Sequence, residues 1–202
     1  MRCLGKPQLL FNMLTEDAER SRSHGLKKEV LQLQASLLEI PIFFQESSWN
    51  DYENVFFAAL QLLKKKGVQK GVFGDINVEG KPDCIRHRQW AEYVCQQALM
   101  AAEEPLWQEA EEDLISVFLT SGIKAEIIAV KTDLLDKKYL GRPLTKSLMK
   151  EFKQLGIHPF GELGEYHTVV LDSPLFSRPL NLIHKEALLK DGYWFLDVDI
   201  LE

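Results

Sequence analysis

At 202 residues, 46% hydrophobic and 27% charged, the chain can form one large domain or two small ones with a real core, in the manner of an ordinary soluble globular protein. A formal net charge of −6 leaves no basic stripe to neutralise phosphates, which excludes a general nucleic-acid binder. The three cysteines, Cys3, Cys84 and Cys95, form no CxxC pair, so a disulfide scaffold and a four-cysteine zinc site are excluded and a reducing, cytoplasmic compartment is expected.

In chain order, Gln8 to Leu14 reads as a short buried strand, too brief to span a membrane and without a signal-peptide cleavage site, so no membrane partner is expected. A polar stretch through His24 precedes a helix from Leu26 to Glu39, whose Leu26, Val30, Leu33 and Leu37 form one apolar stripe. Pro41 opens a second strand at Ile42-Phe43-Phe44. Asp51 to Lys66 reads as a second helix, with Lys64, Lys65 and Lys66 at the end where cations suit the dipole, closed by Gly67. Gly71 to Ile76 reads as a third strand ending in a loop, and Ile85 to Ala101 as a third helix. Strands alternating with helices at this spacing predict a parallel sheet, with ligands at the carboxyl ends of its strands. Pro105 suggests a boundary between units of residues 1–104 and 105–202. The second unit reads as helix Glu109 to Thr120, strand Ala125 to Val130, helix Lys146 to Leu155, strand Thr168 to Asp172 and an aromatic strand Tyr193 to Val198.

The densest chemistry lies in Gly161-Glu162-Leu163-Gly164-Glu165-Tyr166-His167-Thr168. Glycines beside carboxylates suit a backbone that approaches a ligand while acids point at it, and equally suit a turn with solvated acids. Glu162 and Glu165 fit proton transfer, magnesium or an ammonium group, and Tyr166 offers either an aromatic face to a quaternary ammonium or plain strand packing. Asp75, after Gly74, fits a magnesium or ribose ligand, or a turn cap. His24 lines the first strand–helix loop, where Ser23 and His24 also suit helix capping. Arg86, His87, Arg88 and Trp90 face either a phosphate or solvent. Nothing matches a GxSxG, HExxH or GxxxxGKS motif, which disfavours hydrolase, zinc-protease and P-loop readings.

Several blocks, taken together and in order, resemble the diphthine–ammonia ligase family, N-type ATP pyrophosphatases of the PP-loop class: Ser21-Arg22-Ser23-His24-Gly25-Leu26 with Gln34-Ala35, Gly71-Val72-Phe73-Gly74-Asp75-Ile76 with His87-Arg88-Gln89-Trp90 and Cys95, Pro105-Leu106-Trp107, Leu140-Gly141-Arg142, and the Gly161 octapeptide with Asp172-Ser173-Pro174-Leu175-Phe176. The resemblance implies a Rossmann-like HUP α/β/α domain followed by a smaller α+β domain. It implies that ATP, with magnesium, adenylates the diphthine carboxylate of elongation factor 2, and that ammonia displaces AMP. On that basis His24, Gly74, Asp75, His87 and Arg88 are expected at the nucleotide, with Asp75 on the metal. Trp107, Gly161, Glu162, Gly164, Glu165, Tyr166 and His167 are expected at the substrate, and Asp75, Glu162 and Glu165 in catalysis.

The resemblance departs at two places. The family begins with a strand and a serine-glycine-glycine-lysine-aspartate-serine loop for the ATP phosphates, for which Gly5-Lys6-Pro7 does not substitute, and Val78 to Ile85 reads as an insertion. The expectation is an N-terminally incomplete member lacking a central strand, through a mis-set start, a degraded gene or a strand supplied by a partner. ATP would then bind weakly or not at all, leaving a substrate-binding remnant or subunit as the alternative function. Each apolar side chain left uncovered forfeits roughly 1.5–3 kcal/mol against a total of about 5–15 kcal/mol. The purified chain is therefore expected to be marginal or to aggregate through open strand edges; a sharp, reversible melt of a monomer contradicts this. Separately, a homo-oligomer is among the expected partners.

Overall fold

The computed structural model describes residues 5–201; Cys3 lies outside them. β1 (Leu10–Leu14) and β2 (Ile42–Glu46) pair in parallel, from Leu10↔Ile42 to Leu14↔Glu46, and are joined by α1 (Lys28–Leu37). α2 (Tyr52–Lys65) leads to β3 (Lys70–Val72), and α3 (Pro82–Gln97) connects it to its parallel partner β4 (Ala101–Glu103). Pro82 suits the first turn of α3, where a missing N–H costs nothing.

The single parallel sheet expected from the alternation is therefore two separate two-stranded ladders. They share one core. Met13 of β1, Phe56 and Leu60 of α2, Val94 and Cys95 of α3 and Met100 beside β4 form one buried cluster. The helices thus tie together two ladders that share no strand pairing among the described residues. Element boundaries also shift. The third strand ends at Val72 rather than Ile76, and the third helix ends at Gln97, leaving Ala101 to β4. Cys84 and Cys95 are buried free thiols, and burial raises the pKa of both.

α4 (Glu111–Thr120) opens the second half. There β5 (Lys124–Lys131), β6 (Tyr166–Asp172), β7 (Leu182–Lys190) and β8 (Tyr193–Ile200) form an antiparallel sheet in the order β6-β5-β8-β7. One face is covered by α5 (Lys146–Gln154), whose Leu148, Met149 and Phe152 pack on Ile127, Val130 and Tyr166. The other face is covered by α1, whose Val30 and Leu37, together with Leu26 just before the helix, pack on Ile128, Val169 and Val198. β5 lies between these layers, which is why Ile127 to Val130 read as an apolar run rather than an alternation. A register shift between Ile127 and Ala129 reverses its parity, so Ile127 and Val130 share a face.

The predicted stripe of α1 thus exists, but its partner is the C-terminal sheet. Arg20–Asp197 (2.8 Å) and Gln34 Nε2 to Val170 O (2.8 Å) extend that seam. β7 had no counterpart in the sequence reading, because Leu182 to Lys190 is rich in leucine, lysine and glutamate, residues with little strand preference. A signal was present: Asp191 and Gly192 both take positive φ (50° and 80°), the turn chemistry that joins β7 tightly to β8.

Candidate functional site

The Gly161 loop runs from α5 into β6. Gly161 has φ +67°, and a Cβ there would lie 2.6 Å from the Tyr166 carbonyl oxygen, so the turn requires glycine. Glu165 turns inward and is 3% exposed. Its Oε1 accepts from the His158 N–H and its Oε2 from the Leu163 N–H, each at 2.9 Å. Tyr166 is buried, with its ring 5.0 Å from that of Phe152 and its hydroxyl donating to the Pro159 carbonyl. Glu165 and Tyr166 therefore shape the loop from within.

Glu162 turns the other way. Its Oε1 accepts from the Ile76 N–H at 2.9 Å, joining two loops 86 residues apart. Burial pushes its carboxyl up to about 7, against the pull of that N–H, and the nearby charge of Asp75 adds to the rise. Asp75 Oδ1 lies 2.6 Å from Nδ1 of His87, and this bond, ahead of opposing burial, raises the imidazole pKa. An added Cβ at Gly74 would meet open space.

Arg88 is held from three sides. Its Nε lies 2.9 Å from Oε2 of Glu104, a terminal nitrogen lies 2.9 Å from Glu92, and its guanidinium carbon sits 4.9 Å from the ring centroid of buried Trp107. The Glu104 side chain is 5% exposed, and burial raises its pKa against the pull of Arg88. Sequence reasoning missed Glu104; the available signal was an acid directly before Pro105-Leu106-Trp107. Arg86 pairs with Asp83 on the surface.

His24 meets His167 of β6, with ring centroids 5.1 Å apart at 71°. Burial depresses both imidazoles. That of His167 falls to about 4, with His24 adding to the fall, so both rings are neutral near pH 7. His24 and His167 thus form one cluster, while Asp75, His87 and Glu162 form another, with Arg88, Glu104 and Trp107 beside it. A cavity of about 450 Å³ opens at the carboxyl end of β1, among Thr15, Ser21, Arg22, Trp49 and Phe195. Among the described residues no three His, Cys, Asp or Glu side chains converge to hold a metal ion, and no helix is long and apolar enough to cross a membrane.

Chemically, the Glu162 cluster combines a carboxyl that titrates near neutrality, a carboxylate–imidazole pair and a fixed guanidinium. Such a set moves protons and receives anions. Residues 110–201 match the family described as diphthamide synthase C-terminal domain. A diphthine–ammonia ligase of Mus musculus is 37% identical over 168 residues, 81% of this chain and 61% of the mouse protein. Those of Schizosaccharomyces pombe and Bos taurus are 37% identical over 100 residues and 36% over 114, covering 48% and 54% of this chain. The chain spans 61%, 16% and 43% of these relatives' lengths. The ordered sequence blocks, the matched C-terminal unit and these relatives lead to one conclusion: the chain is similar to the diphthine–ammonia ligases over most of its length, and residues 110–201 match their C-terminal domain.

Proposed function

We propose that the chain serves as an ATP-dependent amide ligase that converts the diphthine carboxylate of elongation factor 2 to its carboxamide. The observation that carries this reading is the bond from the Ile76 N–H to Glu162, which brings the Asp75–His87 pair and the acid loop into one site. A carboxylate is a poor acceptor for an amine. Transfer of AMP from ATP supplies a leaving group and releases pyrophosphate. Ammonia then attacks the acyl carbon, the acyl–phosphate bond breaks, AMP departs and the nitrogen sheds a proton.

Glu162 takes that proton, because a base titrating near 7 is matched to the task. Arg88, fixed by Glu104 and Trp107, faces the phosphate charge that develops as pyrophosphate leaves. Magnesium, when bound, neutralises phosphate charge. Asp75 would hold the ion through a carboxylate oxygen, the donor type magnesium favours. Glu162 is also the loop carboxylate open to the trimethylammonium group of diphthine, since both oxygens of Glu165 already accept backbone N–H groups.

The finer fold reading follows the same family. The two parallel ladders belong to one Rossmann-like HUP layer, and the apolar cluster they share on α2 and α3 supports this. The test is incubation of the chain with ATP, magnesium, ammonium and elongation factor 2 carrying diphthine. Mass spectrometry should find the carboxamide, with AMP and pyrophosphate in equal amounts. ATP binding without carboxamide overturns the reading. Acceptor binding without ATP binding, by calorimetry, replaces the ligase with a substrate-holding subunit.

A further inference from the structure

Tyr193 lies outside the residues assigned so far, yet it holds the acid loop and stacks on His167 of β6. Its backbone pairs with Lys131 and Lys190 at the start of β8, a register that needs no particular side chain. Its hydroxyl instead crosses 29 residues of sequence to donate to the Gly164 carbonyl at 2.7 Å. Gly164 has φ +75°, and a Cβ there would lie 3.3 Å from that hydroxyl, so the backbone comes as close as a small residue permits. The Tyr193 ring stacks on His167 at 5.9 Å and 27°, and His167 in turn meets His24 edge-on. On its other side Tyr193 lies 5.9 Å from Phe195, against which Gly25 packs so tightly that a Cβ would come within 2.8 Å of the ring. The start of β8 is thus a common wall for the His24 loop and the Glu162 loop.

We propose that Tyr193 is the positioning residue of the site, setting where Glu162 stands by holding the Gly164 carbonyl to β8 and, through His167, registering that loop against His24. The inference rests on the reading of Glu162 as the reacting carboxylate. Its structural part stands on geometry alone. The hydroxyl fixes Gly164, Gly164 lies two residues from Glu162, and Glu162 caps the Ile76 N–H. Release of the first contact should therefore appear at Ile76, on the far side of the site.

The test is Tyr193→Phe, which keeps the ring and its stacking and removes only the hydroxyl. Amide hydrogen exchange at Ile76 should accelerate by roughly tenfold, the scale of one hydrogen bond, while amides within β5 and β8 keep their rates. In the amidation assay kcat should fall by a similar factor with KM for ATP unchanged. Unchanged exchange at Ile76 overturns the proposal. So does a uniform acceleration across β5, β8 and Ile76, because the hydroxyl would then serve the fold as a whole. If the unmodified chain forms no amide but Ile76 still responds, positioning stands and the ligase reading falls. If amide forms and Ile76 is indifferent, positioning falls and the ligase reading stands.

Discussion

Replacing Glu162 by Gln is expected to lower the amidation rate by about 10²–10⁴-fold, the range attributed to one general base, while leaving the KM for ATP near its original value. The amide keeps an oxygen for the Ile76 N–H, so the loop contact survives and the base alone is lost. Because the base must be ionised to act, the rate of the unmodified chain should rise with pH through about 7, and that rise should vanish in the variant. A second readout needs no substrate. In the magnesium- and nucleotide-free protein, Glu162 titrates near 7 folded and near 4.5 unfolded. Its folded state holds the proton more tightly, so its contribution to stability is complete below pH 4.5 and is lost as pH rises through about 7. Relative to Glu162→Gln, the unmodified chain should therefore lose stability between those two values, as read by denaturant titration across pH. A variant with full activity, or an unchanged pH profile, removes Glu162 from the chemistry.

Replacing Glu165 by Ala is expected to destabilise the fold by roughly 2–4 kcal/mol, because the His158 and Leu163 N–H groups lose their acceptor in a buried setting. For a chain of this size that corresponds to a drop in Tm of about 5–15 °C, measurable by calorimetry. The contrast with Glu162 is the informative part. The two acids are three residues apart in one loop, yet Glu162→Gln should cost activity and Glu165→Ala should cost stability. Equal melting temperatures for Glu165→Ala and the parent chain contradict the structural role of that carboxylate.

Much of the architecture was legible because it depends on local periodicity. The stripe of α1, the second helix with its terminal lysines and the apolar run of β5 follow from spacing that survives in any tertiary context. β4 was not legible: three residues, two of them alanine, carry no periodic signal. Nor was β7, whose composition favours helix until the Asp191–Gly192 turn and the ladder to β8 impose extension. The expected single sheet failed for a related reason. Alternating helices and strands specify parallel neighbours one crossover at a time, and say nothing about whether one pair of strands bonds to the next.

The same division runs through the site. By itself the sequence determined the chemical vocabulary: a glycine-flanked pair of acids, an aspartate after a strand, histidines and arginines beside them, and the family those blocks resemble. Only the tertiary structure decided which way each acid turns. Glu162 and Glu165 are equivalent in spacing, and the choice rests on N–H groups that come from Ile76 on one side and from His158 and Leu163 on the other. It also decided that Glu104 anchors Arg88 and that Tyr193 of β8 holds the Gly164 carbonyl. Those contacts depend on how α1, α3 and β8 pack. Residue type and spacing set what a side chain can do, while its neighbours and its distance from water set what it does.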